Sequence, residues 1–201
     1  ATFYQYEPGS IFKPLTLSAG LDADKISPET TYTDMGAELI DGFTIRNSDK
    51  EAHGLQSMKD VLDKSLNTGT IFVERLLGRE TFQTYMENFG LGKKTGIELK
   101  SEVAGDISSL ERKGKIFAAT ASFGQGITVT PLQIVAAYAA LGNGGTLMKP
   151  YLVSEIIHSD GRRENIKPQV IRQVLKPRTS QLISAMMVDV VEHGHGKRAA
   201  V

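Results

Sequence analysis

Two hydroxyls, an amine and an amide stand out for the chemistry their spacing permits. Ser10 and Lys13 lie three residues apart directly after the breaker Pro8-Gly9, and Phe12, Leu15, Leu17 and Ala19 give the residues behind them a helical apolar pattern. On a helix, residues i and i+3 share a face, so the amine and the hydroxyl can meet. A serine is a weak nucleophile until a neighbouring base takes its proton, and an amine shielded from water can do that. Ser10 also falls at or just before the predicted helix start, where a serine caps free N–H groups, and Pro14 is tolerated in that first turn. Taken alone, S-x-x-K is so common that the pair reads as a capping serine followed by a surface lysine.

The second group is Lys64-Ser65-Leu66-Asn67-Thr68-Gly69-Thr70, a polar break between predicted helices at 57–64 and 68–77. By itself it is an ordinary helix-to-helix turn, since Ser, Asn and Gly favour such places. Set beside Ser10 and Lys13, Ser65 adds a hydroxyl able to relay a proton between base and leaving group. Asn67 adds an amide able to hold a substrate carbonyl or amide.

The 201 residues are 40% hydrophobic, enough for one sizeable core or two small subdomains, and the 23 basic and 23 acidic side chains cancel. Zero net charge leaves no footprint for nucleic acid and no polybasic membrane patch. Cysteine is absent, which excludes disulfides and thiolate metal sites and leaves the redox compartment open. No apolar run approaches the roughly 20 residues of a membrane helix, and no signal peptide is present. The chain begins Ala1-Thr2-Phe3-Tyr4 without a methionine and reads as a piece of a longer protein.

The elements that must position these groups follow in order. The first helix is predicted to end near Ala19-Gly20, with Gly20 in the usual C-terminal position. Residues 21–54 are turn-rich, with short strands at Thr30–Thr33 and Gly42–Arg46 and a hairpin turn at Asp41-Gly42. His53 reads as an exposed loop residue without a second ligand beside it. A third helix covers Arg79–Phe89, before Gly90-Leu91-Gly92. Phe123-Gly124-Gln125-Gly126 is a glycine-rich turn, and no Lys-Ser/Thr follows it as a phosphate loop requires. Pro131 opens a helix over Leu132–Leu141 whose Ile134, Val135 and Tyr138 form an apolar face. Val153–His158 reads as a strand, Ser159-Asp160-Gly161 as a turn and 167–175 as the returning partner. Thr179–Glu192 is an amphipathic helix with Leu182, Ile183, Met186 and Val190 inward. His193 and His195 alternate with glycine and lack carboxylate or further histidine partners, so no metal site is read there, and no cofactor is expected.

Ser10-x-x-Lys13 and Ser65-x-Asn67 are the first two of the motifs S-x-x-K, S-D-N and K-T-G that mark penicillin-binding proteins and class A β-lactamases. The sequence resembles that superfamily, and specifically the transpeptidase domain of class B penicillin-binding proteins. The resemblance rests on Tyr6-Glu7-Pro8-Gly9-Ser10-Ile11-Phe12-Lys13-Pro14, Lys64–Gly69 and Phe89-Gly90-Leu91-Gly92-Lys93-Lys94-Thr95-Gly96-Ile97. It continues through Ala121-Ser122-Phe123-Gly124-Gln125-Gly126, Thr130-Pro131-Leu132-Gln133 and Val190–Ala199, and so covers the chain in the family's order. Lys94-Thr95-Gly96 spells the third motif but falls between helices, whereas the family's K-T-G lies on a strand after the counterpart of Gly194–Ala199. Lys94 is therefore expected to be structural or surface-exposed, and the strand of the third motif to lie outside these residues. Where the family usually has a threonine, this chain has His195.

The resemblance implies an α+β, helix-dominated fold, a single partial transpeptidase domain over 1–201 that lacks most of the family's central antiparallel sheet and is poorly stable alone. It implies that Ser10 attacks the carbonyl of the penultimate D-alanine of a peptidoglycan stem peptide, with Lys13 taking its proton, Ser65 passing a proton to the leaving D-alanine and Asn67 holding the substrate amide. β-Lactams would acylate the same serine. The parent would be anchored at the periplasmic face of the bacterial cytoplasmic membrane and partnered with a cell-wall glycosyltransferase. Alternatives on the same scaffold are a β-lactamase, a D,D-carboxypeptidase or a β-lactam sensor; a truncated, non-catalytic homologue acting as a scaffold is the non-enzymatic one.

Overall fold

The computed structural model describes residues 1–200. Gly9, at a φ of 60°, opens a 3-10 turn over Gly9–Phe12 that runs straight into helix α1 (Lys13–Asp22), with the Lys13 N–H donating to the Ser10 carbonyl. Every residue of α1 is buried, including Lys13. The cap residue is Phe12 and makes no side-chain cap bond, so Ser10 sits inside the 3-10 turn rather than capping the helix as expected. The helix also runs past Gly20, where the sequence suggested an end. A Cβ at Gly20 would stand 2.6 Å from Val73 Cγ1 and 2.9 Å from Ile26 Cδ1, so this glycine permits close helix packing.

Four short strands follow: β1 (Thr31–Asp34), β2 (Ala37–Ile40), β3 (Phe43–Arg46) and β4 (Gly54–Ser57). β2 and β3 form an antiparallel hairpin whose turn residues Asp41 and Gly42 have φ of 49° and 84°, the left-handed pair that the right-handed twist of a hairpin favours. β1 pairs with β4 from Thr31↔Ser57 to Asp34↔Gly54 and so closes around that hairpin. Ser57 and Asp60 form a capping box that starts α2 (Met58–Asp63), followed by α3 (Asn67–Leu77) and α4 (Arg79–Asn88).

After a long loop with a 3-10 turn at Ser108–Glu111 come α5 (Lys115–Ala121) and α6 (Pro131–Gly142), the latter opened by a Thr130–Gln133 capping box with Pro131 in its first turn. In the loop, the buried Glu102 carboxylate accepts from the Thr95 N–H (2.7 Å), the Thr95 hydroxyl (2.5 Å) and the Gly96 N–H (3.1 Å). Lys94-Thr95-Gly96 thus lies in a loop held by Glu102, outside any strand, with Lys94 exposed as expected.

Strands β5 (Thr146–Lys149), β6 (Glu155–Ile157), β7 (Arg163–Asn165) and β8 (Gln169–Gln173) lead to α7 (Pro177–Glu192) and a last 3-10 turn at Lys197–Ala199. The expected pairing of 153–158 with 167–175 is corrected here. β6 pairs with β7 across the tight Asp160-Gly161 turn, and β8 instead reaches back to β5. The Gly145 carbonyl draws it there by accepting from the Val174 and Leu175 N–H groups. Among the described residues no sheet exceeds two strands.

The main core surrounds α1 and joins Phe12, Leu15 and Leu17 to Met58, Val73, Phe82, Phe89 and Ile183, and a small cluster of Ile40, Ile71, Ala119 and Phe123 lies beside it. The C-terminal end of α1 is pinned by Asp22, whose carboxylate accepts from the Lys176 N–H (2.6 Å) and the Tyr85 hydroxyl (2.8 Å). Burial of the helix on all sides fixes where Ser10 and Lys13 can be.

Candidate active site

Ser10 is exposed, and among the described residues its hydroxyl makes no hydrogen bond. Its backbone is held from behind. Tyr6 and Val129 exchange two backbone bonds of 3.0 Å, the Gly9 N–H donates to the Gly124 carbonyl (3.0 Å) and the Tyr138 hydroxyl donates to the Ile11 carbonyl (2.6 Å). The glycine of the Phe123-Gly124-Gln125-Gly126 turn is required: at φ 81°, a Cβ on Gly124 would stand 2.3 Å from Gly9 O and 2.6 Å from Gly9 N. In the 3-10 turn, positions i and i+3 nearly eclipse, which puts Ser10 and Lys13 on one side of the turn.

Lys13 is 1% exposed, and its Nζ donates to the Ser65 carbonyl (2.5 Å) and to Ser65 Oγ (2.9 Å). Both contacts arise from one local feature. Ser65 N–H donates to Leu62 O and Leu66 N–H to Val61 O, the paired bonds that terminate a helix in a left-handed residue. That residue is usually glycine; here it is Ser65, with φ 57°. A left-handed non-glycine residue stores strain, and such strain collects at functional sites. The turn aims the Ser65 carbonyl and hydroxyl at the same amine.

Burial lowers the Lys13 pKa to about 7, partly opposed by the carboxylate of Asp49. Asp49 in turn accepts from the Glu51 N–H and contacts His53 Nε2 at 2.9 Å, which together hold its own pKa below the usual carboxylate range. His53 is therefore half-buried and paired, not a free loop residue as the sequence suggested.

Asn67 begins α3, where its Nδ2 donates to the Arg46 carbonyl (2.8 Å). The start of that helix is tied to a buried network absent from the sequence reading. The Asp34 carboxylate accepts from the Gly36 and His53 N–H groups, from Asn47 Nδ2 and from the Thr68 hydroxyl, and Asn47 Oδ1 accepts from the Thr68 N–H. Asp34 is 1% and Asn47 2% exposed. Asn47-Ser48-Asp49 reads locally as a turn; the available signal was the alternation of Tyr32 and Asp34, which puts a carboxylate on the inward face of β1.

At the far end of the chain, His193 Nδ1 lies 2.9 Å from Asp189 Oδ1, so it does have a carboxylate partner, contrary to the sequence reading. The His195 N–H donates to the Asp63 carbonyl, which ties this loop to α2 just before Ser65. The structure thus brings Lys13 and Ser65 into contact, sets Ser10 one 3-10 turn before Lys13, and places Asn67 two residues beyond Ser65.

Comparison with known proteins agrees with this arrangement. The penicillin-binding protein transpeptidase domain family matches residues 1–201. Stage V sporulation protein D of Bacillus subtilis is 40% identical over 199 residues, 98% of this chain and 31% of that protein. Penicillin-binding protein PbpB of Mycolicibacterium smegmatis is 30% identical over 206 residues, 98% of this chain and 31% of that protein. The crystal structure of penicillin-binding protein 3 from Mycobacterium tuberculosis, complexed with aztreonam, superposes with a TM-score of 0.92 at 28% identity, covering 100% of this chain and 46% of that one. The chain spans under half the length of these relatives. With its motifs in the family's order and its whole described length on the family's helix-rich α+β scaffold, the chain belongs to the penicillin-binding protein transpeptidase family.

Proposed function

We propose that the protein carrying this chain is a peptidoglycan D,D-transpeptidase, and that residues 1–201 are a partial transpeptidase domain of it. The observation that carries the reading is a buried lysine, lowered to about 7, that touches the second-motif serine at 2.9 Å and lies one 3-10 turn from an unengaged serine hydroxyl. In this reading neutral Lys13 takes the proton of Ser10 as Ser10 Oγ bonds to the carbonyl carbon of the penultimate D-alanine. Ser65 passes a proton to the departing D-alanine nitrogen, and Asn67 holds the substrate amide. The amine of a second stem peptide then displaces Ser10 from the ester and completes the cross-link. A β-lactam carbonyl meets the same serine, and its opened ring stays attached. The Ser10 N–H supplies one oxyanion donor and the parent's third-motif strand the other; losing one such donor costs about 10²–10³ in rate.

Stem peptides and β-lactams are the small-molecule partners of this reading. A cell-wall glycosyltransferase as protein partner, a membrane anchor and a periplasmic location belong to the parent. Among the described residues no helix is long and apolar enough to cross a membrane.

The test is to incubate the full-length protein and its Ser10→Ala variant with a fluorescent penicillin and follow intact mass. A lasting adduct on the wild type alone supports the proposal. An adduct that clears within seconds points to a β-lactamase, and no adduct to a non-catalytic scaffold. Residues 1–201 alone should acylate far more slowly; equal rates for piece and parent would overturn the role given to the third-motif strand.

A further inference from the structure

The β2–β3 turn and helices α3, α4 and α5 line an open cavity of about 870 Å3, bordered among others by Ile40, Glu74, Leu77, Arg79 and Ala118. None of its lining residues belongs to the Ser10 turn, α1 or the Ser65 turn. Its inner wall shares Ile40 and Ala119 with the small cluster that contains Phe123.

One group in the cavity is unaccounted for. Glu74 is 6% exposed, and among the described residues its carboxyl has no hydrogen-bond or ion-pair partner. Its oxygens still reach solvent through the cavity, so a donor bound there would take the place of water. The other charged groups along the wall are Asp41, Arg75, Arg79, Glu80 and Lys115. Arg75 is ion-paired with Glu38, Arg79 donates to the Arg112 carbonyl (2.7 Å) and Asp41 accepts from the Ile116 N–H (2.9 Å). Burial pushes the Glu74 carboxyl up to about 7, with Arg75 and Arg79 acting against the shift, so a cation beside it would draw out the ionised form.

We propose that this cavity is a second binding site, for a small molecule with an apolar body and a protonated primary amine whose ammonium donates to the Glu74 carboxylate. The volume falls in the range of about 300–1,000 Å3 usual for small-molecule sites; Ile40, Leu77, Ala118 and Ala119 give the wall an apolar part for the body of the ligand, and Glu74 is the most deeply buried of the charged groups around it. An ammonium offers three donors to a carboxylate that has none from the protein, and beside a largely buried carboxylate that bond is stronger than on the open surface.

The experiment is calorimetric titration of the full-length protein with 2-phenylethylamine and, in parallel, 2-phenylethanol. Expected is saturable binding of the amine, weakened at least tenfold in Glu74→Gln and by obstruction at the cavity mouth in Thr81→Trp. Binding should persist after Ser10 has been acylated by penicillin, and the melting temperature of each variant reports its folding. The proposal is overturned if the amine shows no saturable binding up to 10 mM, or if 2-phenylethanol binds as well as the amine. It is likewise overturned if folded Glu74→Gln binds like the wild type, or if penicillin abolishes binding and so locates the amine in the Ser10 cleft. None of these outcomes depends on whether the protein cross-links peptidoglycan.

Discussion

Lys13 Nζ stands 2.9 Å from Ser65 Oγ although 52 residues separate them in sequence. The contact needs the first residue of a fully buried helix to meet the left-handed residue that ends another, and it sets a water-shielded amine against the Ser65 hydroxyl, one turn after Ser10. Four predictions follow from how that contact is built and supported.

The acylation rate with penicillin should rise with pH and level off above about 7. Burial lowers the Lys13 pKa to about 7, so the neutral base form is lost below that value. Replacing Asp49 by Asn removes the charge that favours the ammonium, so the midpoint should move to lower pH. Stability carries the same signature. Unfolded Lys13 holds its proton up to about 10.5 and folded Lys13 only to about 7, so unfolding takes up a proton in that window and stability should increase with pH across it. Denaturant titrations at pH 7 and 9 should show this increase diminished in Lys13→Met.

Ser65→Gly separates chemistry from strain. Glycine adopts a φ of 57° freely, so the variant should be as stable as the wild type or up to about 1 kcal/mol more stable. Without the hydroxyl, acylation should fall by about 10²–10⁴. Full activity in a correctly folded Ser65→Gly would remove Ser65 from the proton path.

Asp34→Ala should destabilise the protein by about 3 kcal/mol, because it strands the buried donors of Asn47 and Thr68. Chemical denaturation measures the loss. Below the melting transition the acylation rate should also fall, since the same donors seat the first turn of α3, where Asn67 lies; an unchanged rate would limit Asp34 to a role in stability.

Gly124→Ala should displace the Pro8–Ser10 turn. The added carbon meets Gly9 backbone atoms at 2.3 and 2.6 Å, and backbone yields less readily than a side-chain tip. A loss of about 1–3 kcal/mol with slower acylation is expected, whereas Gly126→Ala, whose nearest neighbour is the Thr120 hydroxyl at 3.3 Å, should perturb the turn less.

Much of this protein was legible in the residues themselves. The Asp41-Gly42 hairpin, the helix opened by Pro131 and a break after Lys64, which the structure narrows from Lys64–Thr70 to Lys64–Leu66, were readable because each depends on dihedral preferences and capping bonds within a few residues. The order of the motifs was enough to place the family. The tertiary structure alone decided that Gly20 is a packing contact instead of a helix end, that β8 pairs with β5, and that Asp34 and Asn47 fasten the start of α3. It also decided that Lys13 is buried against Ser65, which turns a common four-residue pattern into a possible base and nucleophile. These are contacts between segments distant in the chain, where burial and a single geometry must be satisfied together. No local propensity encodes them, because the same lysine on a solvated helix would keep its proton at neutral pH.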